Sequence, residues 1–72
     1  MREFKLTSEH IELIKLLKLL RIAESGAHAK ILVEDGEVFL NNKREFRKRA
    51  KLHDGDVVEV LGEKILIQKA TF

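Results

Sequence analysis

The stretch SGAHAKILVEDGEVFLNNKREFRKRAK, residues 25–51, contains a helix start, a helix stop, a strand, a tight turn and a basic run in that order. Ser25 offers the short side-chain acceptor that suits a helix N-cap, and Ala27, Ala29, Ile31, Leu32 and Val33 continue as a helix. Gly36, directly after Asp35, stops it: a C′ residue takes the left-handed conformation, which is free of steric penalty only for glycine. Residues 37–40 then read as a strand around Val38. Asn41-Asn42 tolerates positive φ and closes a tight turn into a further strand at residues 43–46.

Upstream, Arg2–Leu6 alternates polar and apolar residues as an edge strand does, with Phe4 and Leu6 on one face. Thr7 or Ser8 is the expected N-cap of a first helix, in which Ile11, Leu13, Ile14, Leu17 and Leu20 recur at helical spacing. Glu12, Lys15 and Lys18 mark its wet side. Leu16 and Leu19 widen the apolar stripe, as in a helix wedged between a second helix and a sheet. Downstream, His53-Asp54-Gly55 repeats the turn signal. Residues 56–61 and 64–68 read as strands joined by a hairpin at Gly62-Glu63. A chain of 72 residues without proline has room for a single domain, residues 1–72, with one thin core and turns left to Gly, Asn and Asp.

The formal net charge of +2 conceals an asymmetry. Residues 1–42 carry six Lys or Arg against seven Asp or Glu. Residues 43–51 carry six (Lys43, Arg44, Arg47, Lys48, Arg49 and Lys51) against Glu45 alone, and residues 52–72 carry two against four. Taken by itself, such a run reads as a solvated loop. Concentrated in one segment, it also presents a local field to a polyanion without making the whole chain basic.

The lack of cysteine excludes a disulfide framework, a thiolate metal site and a Cys nucleophile. His10, His28 and His53 occur singly, without metal-ligand spacing or a nucleophile partner. His28 reads as a solvent-exposed helical side chain, and Asp54 and Asp56 as turn formers around Gly55. No metal, cofactor or enzymatic activity is expected. The longest apolar run is far too short to span a bilayer, so a soluble, cytoplasmic protein with no membrane partner is expected. The four Phe come without Tyr or Trp, and Phe4, Phe39 and Phe46 fall in strand patterns. They are expected to pack in the core rather than to form a base-stacking platform.

The residues also resemble the S4-like RNA-binding domain over residues 10–60. The shared features are the leucine-rich first helix with Leu13, Leu17 and Lys18, then Ser25, Ala29-Lys30, Leu32-Val33, Gly36, Val38, Asn41, and Gly55-Asp56 before Val58 and Val60. The pattern common in that family has Arg in place of Glu12, Asp in place of Ile14, Arg in place of Gly26 and Gly in place of Asn42. Short stand-alone bacterial members are similar in two further motifs, Glu24-Ser25-Gly26-Ala27-x-Ala29-Lys30 and Arg47-Lys48-Arg49-x-Lys51. Neither helix capping nor core packing requires three consecutive basic residues there. The resemblance implies an α+β fold, with two helices packed on a small antiparallel or mixed sheet (the αL motif), and binding of structured RNA.

On that basis the expected RNA-binding residues are Ser25, Gly26, Lys30, Lys43, Arg44, Arg47, Lys48, Arg49 and Lys51. Arg donates a bidentate fork to a phosphate and Lys a compact charge, a mixture that suits irregularly presented phosphates. On an extended segment Arg47, Arg49 and Lys51 share one side while Lys48 points away. Lys43 and Arg44 follow the turn and reach a neighbouring phosphate. Lys30 and the start of the second helix near Ser25 supply a charge and free amides, and Gly26 either permits close approach there or is an ordinary small residue. The expected partner is folded RNA, ribosomal RNA first, recognised through shape, phosphates and 2′-hydroxyls. The expected actor is a monomer in ribosome assembly, quality control or RNA maintenance. Two other classes fit parts of the chain. One is a protein-interaction adaptor using the leucine-rich first helix, with the basic run serving solubility. The other is a ubiquitin-like sulfur carrier, whose strand-and-turn phrase is similar to residues 52–60. Its C-terminal Gly-Gly is missing from Lys69-Ala70-Thr71-Phe72.

Overall fold

The computed structural model describes residues 1–70, so Thr71 and Phe72, half of the tail compared above with a Gly-Gly carrier, lie outside the described residues. Its elements are β1 (Arg2–Leu6), β2 (Ile11–Glu12), α1 (Leu13–Leu19), α2 (Gly26–Glu34), β3 (Val38–Leu40), β4 (Lys43–Arg44), β5 (Lys51–Leu52), β6 (Val57–Val60) and β7 (Glu63–Lys69). Five strands form a sheet in the order β1-β7-β6-β3-β4. The edge strand β1 runs parallel to β7 and the other pairs are antiparallel, so the sheet is mixed. A separate ladder pairs Ile11 with Leu52 and Glu12 with Lys51.

Period-two burial gives the sheet one apolar face. Val58 and Val60 on β6 and Ile65 and Ile67 on β7 are fully buried, with Val38 opposite Val60 and Val58 opposite Ile65. Phe4 is aligned with Ile67 and packs against the same core. Leu13, Leu16 and Leu17 of α1 and Ala29, Leu32 and Val33 of α2 supply the other half of that core. This is the anticipated α+β arrangement of two helices on a small mixed sheet. Among the described residues every buried side chain is apolar, and no helix is long and apolar enough to cross a membrane.

Both ends of α2 follow from local chemistry. Ser25 Oγ accepts the His28 amide at 3.1 Å, and His28 Nδ1 accepts the Glu24 amide at 3.1 Å. The pair resembles a capping box in which an imidazole replaces the usual Glu or Gln. His28 is therefore a half-buried capping group, not the exposed helical side chain expected from the sequence. At the other end Gly36 has φ +76°, its amide meets the Val33 carbonyl at 3.1 Å, and the Glu37 amide meets that of Leu32 at 3.1 Å. Those two bonds are a Schellman motif.

The turns are equally local. Asn41 and Asn42 have φ of 51° and 71° between the paired residues Leu40 and Lys43, as a type I′ hairpin requires. The Asn41 side chain also fastens this turn to β6, accepting the Val57 amide at 2.9 Å and donating to Asp56 at 3.1 Å. Asp56 accepts the His53 amide at 2.8 Å, the turn chemistry anticipated for it, whereas Asp54 accepts the Lys69 amide at 2.7 Å and so ties the turn to β7.

Other elements differ from expectation. The first helix begins at Leu13, and neither Thr7 nor Ser8 caps it; the Ser8 hydroxyl instead donates to the His10 carbonyl at 2.9 Å. Ile11-Glu12 is drawn into the β2–β5 ladder. Leu19 is 56% exposed instead of widening the apolar stripe. The strand expected at residues 43–46 ends at Arg44, which leaves Phe46 58% exposed instead of in the core. The last hairpin turns at Leu61-Gly62, since Val60 already pairs with Glu63.

Candidate nucleic-acid interface

The basic run is a loop tied down by its backbone. The Glu45 amide donates to the Val38 carbonyl at 2.9 Å, which holds the start of the loop on β3. A turn follows at Lys48-Arg49, with the Ala50 amide on the Arg47 carbonyl at 3.2 Å, and Ala50 and Leu52 are buried. The N-terminus of α1 has no side-chain cap. Its first amides donate to the loop, Leu13 to the Ala50 carbonyl at 2.9 Å and Ile14 to the Lys48 carbonyl at 3.3 Å. The helix and the loop thus satisfy each other's backbone groups while the charged side chains stay outside.

Arg47, Arg49 and Lys51 line one open hollow together with Ala50 and His53. Lys48 lies apart from that hollow, with its ammonium 3.0 Å from the Glu34 carboxylate of α2. The expected separation of Lys48 from the other three is present, but a turn produces it. The condition on which that separation was read, an extended segment, is not met.

Arg47 is held by Glu45 in a side-on fork. Its Nε donates to Oε2 and its Nη2 to Oε1, each at 3.0 Å, and its backbone amide also donates to Oε2 at 3.0 Å. The Glu45 side chain is largely covered, 12% exposed, whereas the Arg47 side chain is 77% exposed. The hydrogen bonds from Arg47 hold the Glu45 carboxyl below the usual carboxylate range and raise Arg47 in turn. Because Glu45 is depressed on folding, the pair contributes stability above the unfolded-state carboxylate pKa. It loses that contribution as the pH falls through the lowered value.

The remaining candidates divide. Lys43 is exposed at the hairpin. Arg44 donates through Nε to the Gly36 carbonyl at 2.9 Å and lies 5.1 Å above the Phe39 ring, so it ties the hairpin to the end of α2. Gly26, Lys30 and Glu34 recur at every fourth position along one face of α2. Glu34 reaches Lys48, so Lys30 is one turn from the basic loop and Gly26 about 12 Å along the helix. Ser25, occupied in capping, sits at that far end. The structure therefore gathers Arg47, Arg49 and Lys51, extends through Lys48 and Lys30, and leaves Ser25 and Gly26 at a distance.

Two neighbours were absent from the sequence-derived site. A Cβ built on Gly26 would lie 4.0 Å from Lys18 Cδ, so Lys18 of α1 stands beside the start of α2. Its signal was its place on the wet side of the first helix. His53 joins the hollow through the turn after β5, with its ring 6.0 Å from that of His10. Among the described residues no group of three or more His, Cys, Asp or Glu is placed to hold a metal ion.

A family model for the S4 domain matches residues 4–68, from β1 into β7. The chain is 41% identical over 58 residues, 81% of its length and 83% of the relative's, to YbcJ of Escherichia coli (strain K12), named as a candidate RNA-binding protein. It is 40% identical over 55 residues, 76% of this chain and 78% of the other, to RlbA of Bacillus subtilis (strain 168), named as a candidate ribosome maturation protein. The solution structure of YbcJ from E. coli, described as revealing an αL motif involved in RNA binding, matches with a TM-score of 0.72 at 39% identity, over 94% of this chain and 87% of that one. Matched in sequence over nearly its whole length and in the packing of two helices on a mixed sheet, the chain belongs to the S4 domain family.

Proposed function

We propose that this chain is a non-enzymatic RNA-binding module that docks on structured RNA, ribosomal RNA first, during ribosome assembly, quality control or RNA maintenance. The observation that carries this reading is the loop at residues 45–51, whose cations are exposed while its carbonyls are fixed to the N-terminus of α1. Cations on a preformed backbone lose less ordering entropy on meeting phosphates than cations on a free tail would. The names of YbcJ and RlbA support the same partner class.

Purified protein titrated with a structured ribosomal RNA fragment, a single strand and duplex DNA across a salt series tests the reading. With about four to six phosphates engaged, affinity for the folded RNA is expected to fall roughly 50-fold to 2,000-fold between 50 and 200 mM salt. Weak binding without preference among the three would instead favour an adaptor that uses the exposed Leu19 of α1.

Gly26 offers a finer test of the α2 end. A Cβ there meets nothing closer than Lys18 Cδ at 4.0 Å, so the fold does not demand glycine. The Gly26→Ala protein is expected to melt at the wild-type temperature or slightly above it, gaining up to about 1 kcal/mol through its less flexible unfolded chain. Its RNA affinity is expected to fall about 5-fold, the worth of roughly 1 kcal/mol for one hydrogen bond from a helix amide to a phosphate. Unchanged affinity would remove Gly26 from the interface.

A further inference from the structure

Glu45 is the one acid among the residues of the basic segment 43–51, and simple electrostatics would make it a defect in a surface that meets a polyanion. The geometry suggests another role. Its amide is bonded to β3, its side chain is 12% exposed, and both carboxylate oxygens are engaged by Arg47. Glu45 takes the Nε and Nη2 side of the guanidinium. A guanidinium has a second, end-on fork made of Nη1–H and the remaining Nη2–H, and this fork is not needed for the bond to Glu45. We propose that Glu45 is a positioning residue for RNA recognition, locking Arg47 side-on so that its end-on fork is presented to a phosphate at the hollow shared with Arg49, Lys51 and His53.

The physical gain is rotamer entropy. A free arginine has several rotatable bonds to freeze when it meets its phosphate, whereas the clamped one has most of them frozen in the unbound protein. The cost is one negative charge near the RNA. That charge is neutralised within the fork, so the pair still offers an outward-facing donor edge. This inference rests on the RNA-binding reading above and adds to it a residue that no count of positive charge would select.

The test is a sign. Glu45→Ala raises the net charge by one, so if Glu45 were only a solvated acid, structured RNA would bind more tightly. If Glu45 positions Arg47, binding weakens about 2-fold to 10-fold, the range set by immobilising one long side chain. In an Arg47→Ala background the same change is expected to leave affinity unchanged or to tighten it, because the residue it acts through is gone. Glu45→Gln, nearly isosteric and still able to accept one of the bonds, should fall between wild type and Glu45→Ala, and it serves alone if the alanine variant fails to fold. Tighter binding by either variant, with a native circular dichroism spectrum, overturns the proposal. The Arg47 Nε–H resonance, followed by NMR without RNA, should be protected in wild type, less so in Glu45→Gln, and lost in Glu45→Ala. That signal separates the two readings: a wild type that shows the clamp but binds no RNA overturns the functional reading and this role with it. A wild type that binds RNA with no protected Nε–H overturns the clamp alone.

Discussion

Replacing Arg47, Arg49 and Lys51 together with glutamine is expected to weaken binding to structured RNA roughly 100-fold to 500-fold at 0.1 M salt and to flatten the logarithmic salt slope by about 2 to 3. Each lost phosphate contact forfeits its share of counterion release, and these three side chains line a single hollow. The fold should hardly notice. All three are exposed, where substitutions usually change stability by less than about 0.5 kcal/mol, and solvent screens the Arg47–Glu45 pair. Glutamine is a cleaner choice than glutamate, because Lys51 stands opposite Glu12 in the β2–β5 ladder and Arg47 is held by Glu45. Charge reversal would therefore add like-charge contacts to the loss of affinity. Lys48→Gln is the internal control: with its ammonium already 3.0 Å from the Glu34 carboxylate, Lys48 should contribute less than a free lysine. Wild-type affinity in the triple variant, with a native circular dichroism spectrum and melting curve, would move the interface off this loop.

What could be read from the chain beforehand follows how local the determining interactions are. Ser25, Gly36 and Asn41-Asn42 state their conformations through their own chemistry, and each is a cap, a stop or a turn as anticipated. The start of α1 was misplaced because its first amides are satisfied by the carbonyls of Lys48 and Ala50, more than thirty residues downstream, and not by a neighbouring Ser or Thr. Residues 47–50 form a turn closed by the Ala50 amide on the Arg47 carbonyl, where the grouping of Arg47, Arg49 and Lys51 had been read on the condition of an extended segment. Phe46 fits a strand pattern in sequence but lies past the point where β4 ends, so it stands exposed. The identity of the basic residues was legible from charge alone. Their division into a hollow, an ion pair and a clamp was not, because Glu34 and Glu45 choose their partners in three dimensions.

Gly36→Ala is expected to destabilise the protein by about 2–3 kcal/mol, a large part of the ~4–11 kcal/mol typical of a domain this size. Two effects combine. An alanine held at the observed φ of +76° carries about 1–2 kcal/mol of left-handed strain. Its Cβ would also lie 3.0 Å from Arg44 Cδ and 3.1 Å from Arg44 Nε, so the Arg44 side chain must give by a few tenths of an ångström. That shift weakens the 2.9 Å bond from Nε to the Gly36 carbonyl, whose full worth is about 0.5–1.5 kcal/mol, and disturbs the place of Arg44 over Phe39. Gly55 provides the comparison, since its φ is +89° and a Cβ there meets nothing within 4 Å. Gly55→Ala should pay the backbone cost alone, so the difference between the two variants isolates the Arg44 contact. Thermal melts would show drops of roughly 8–24 °C for Gly36→Ala and about 4–16 °C for Gly55→Ala. In an Arg44→Ala background the two glycine substitutions should become equal in cost. If they already cost the same in the wild-type background, Arg44 does not hold the β3–β4 hairpin against the end of α2, and the basic loop owes its position to the Glu45 amide on β3 and to the α1 amides.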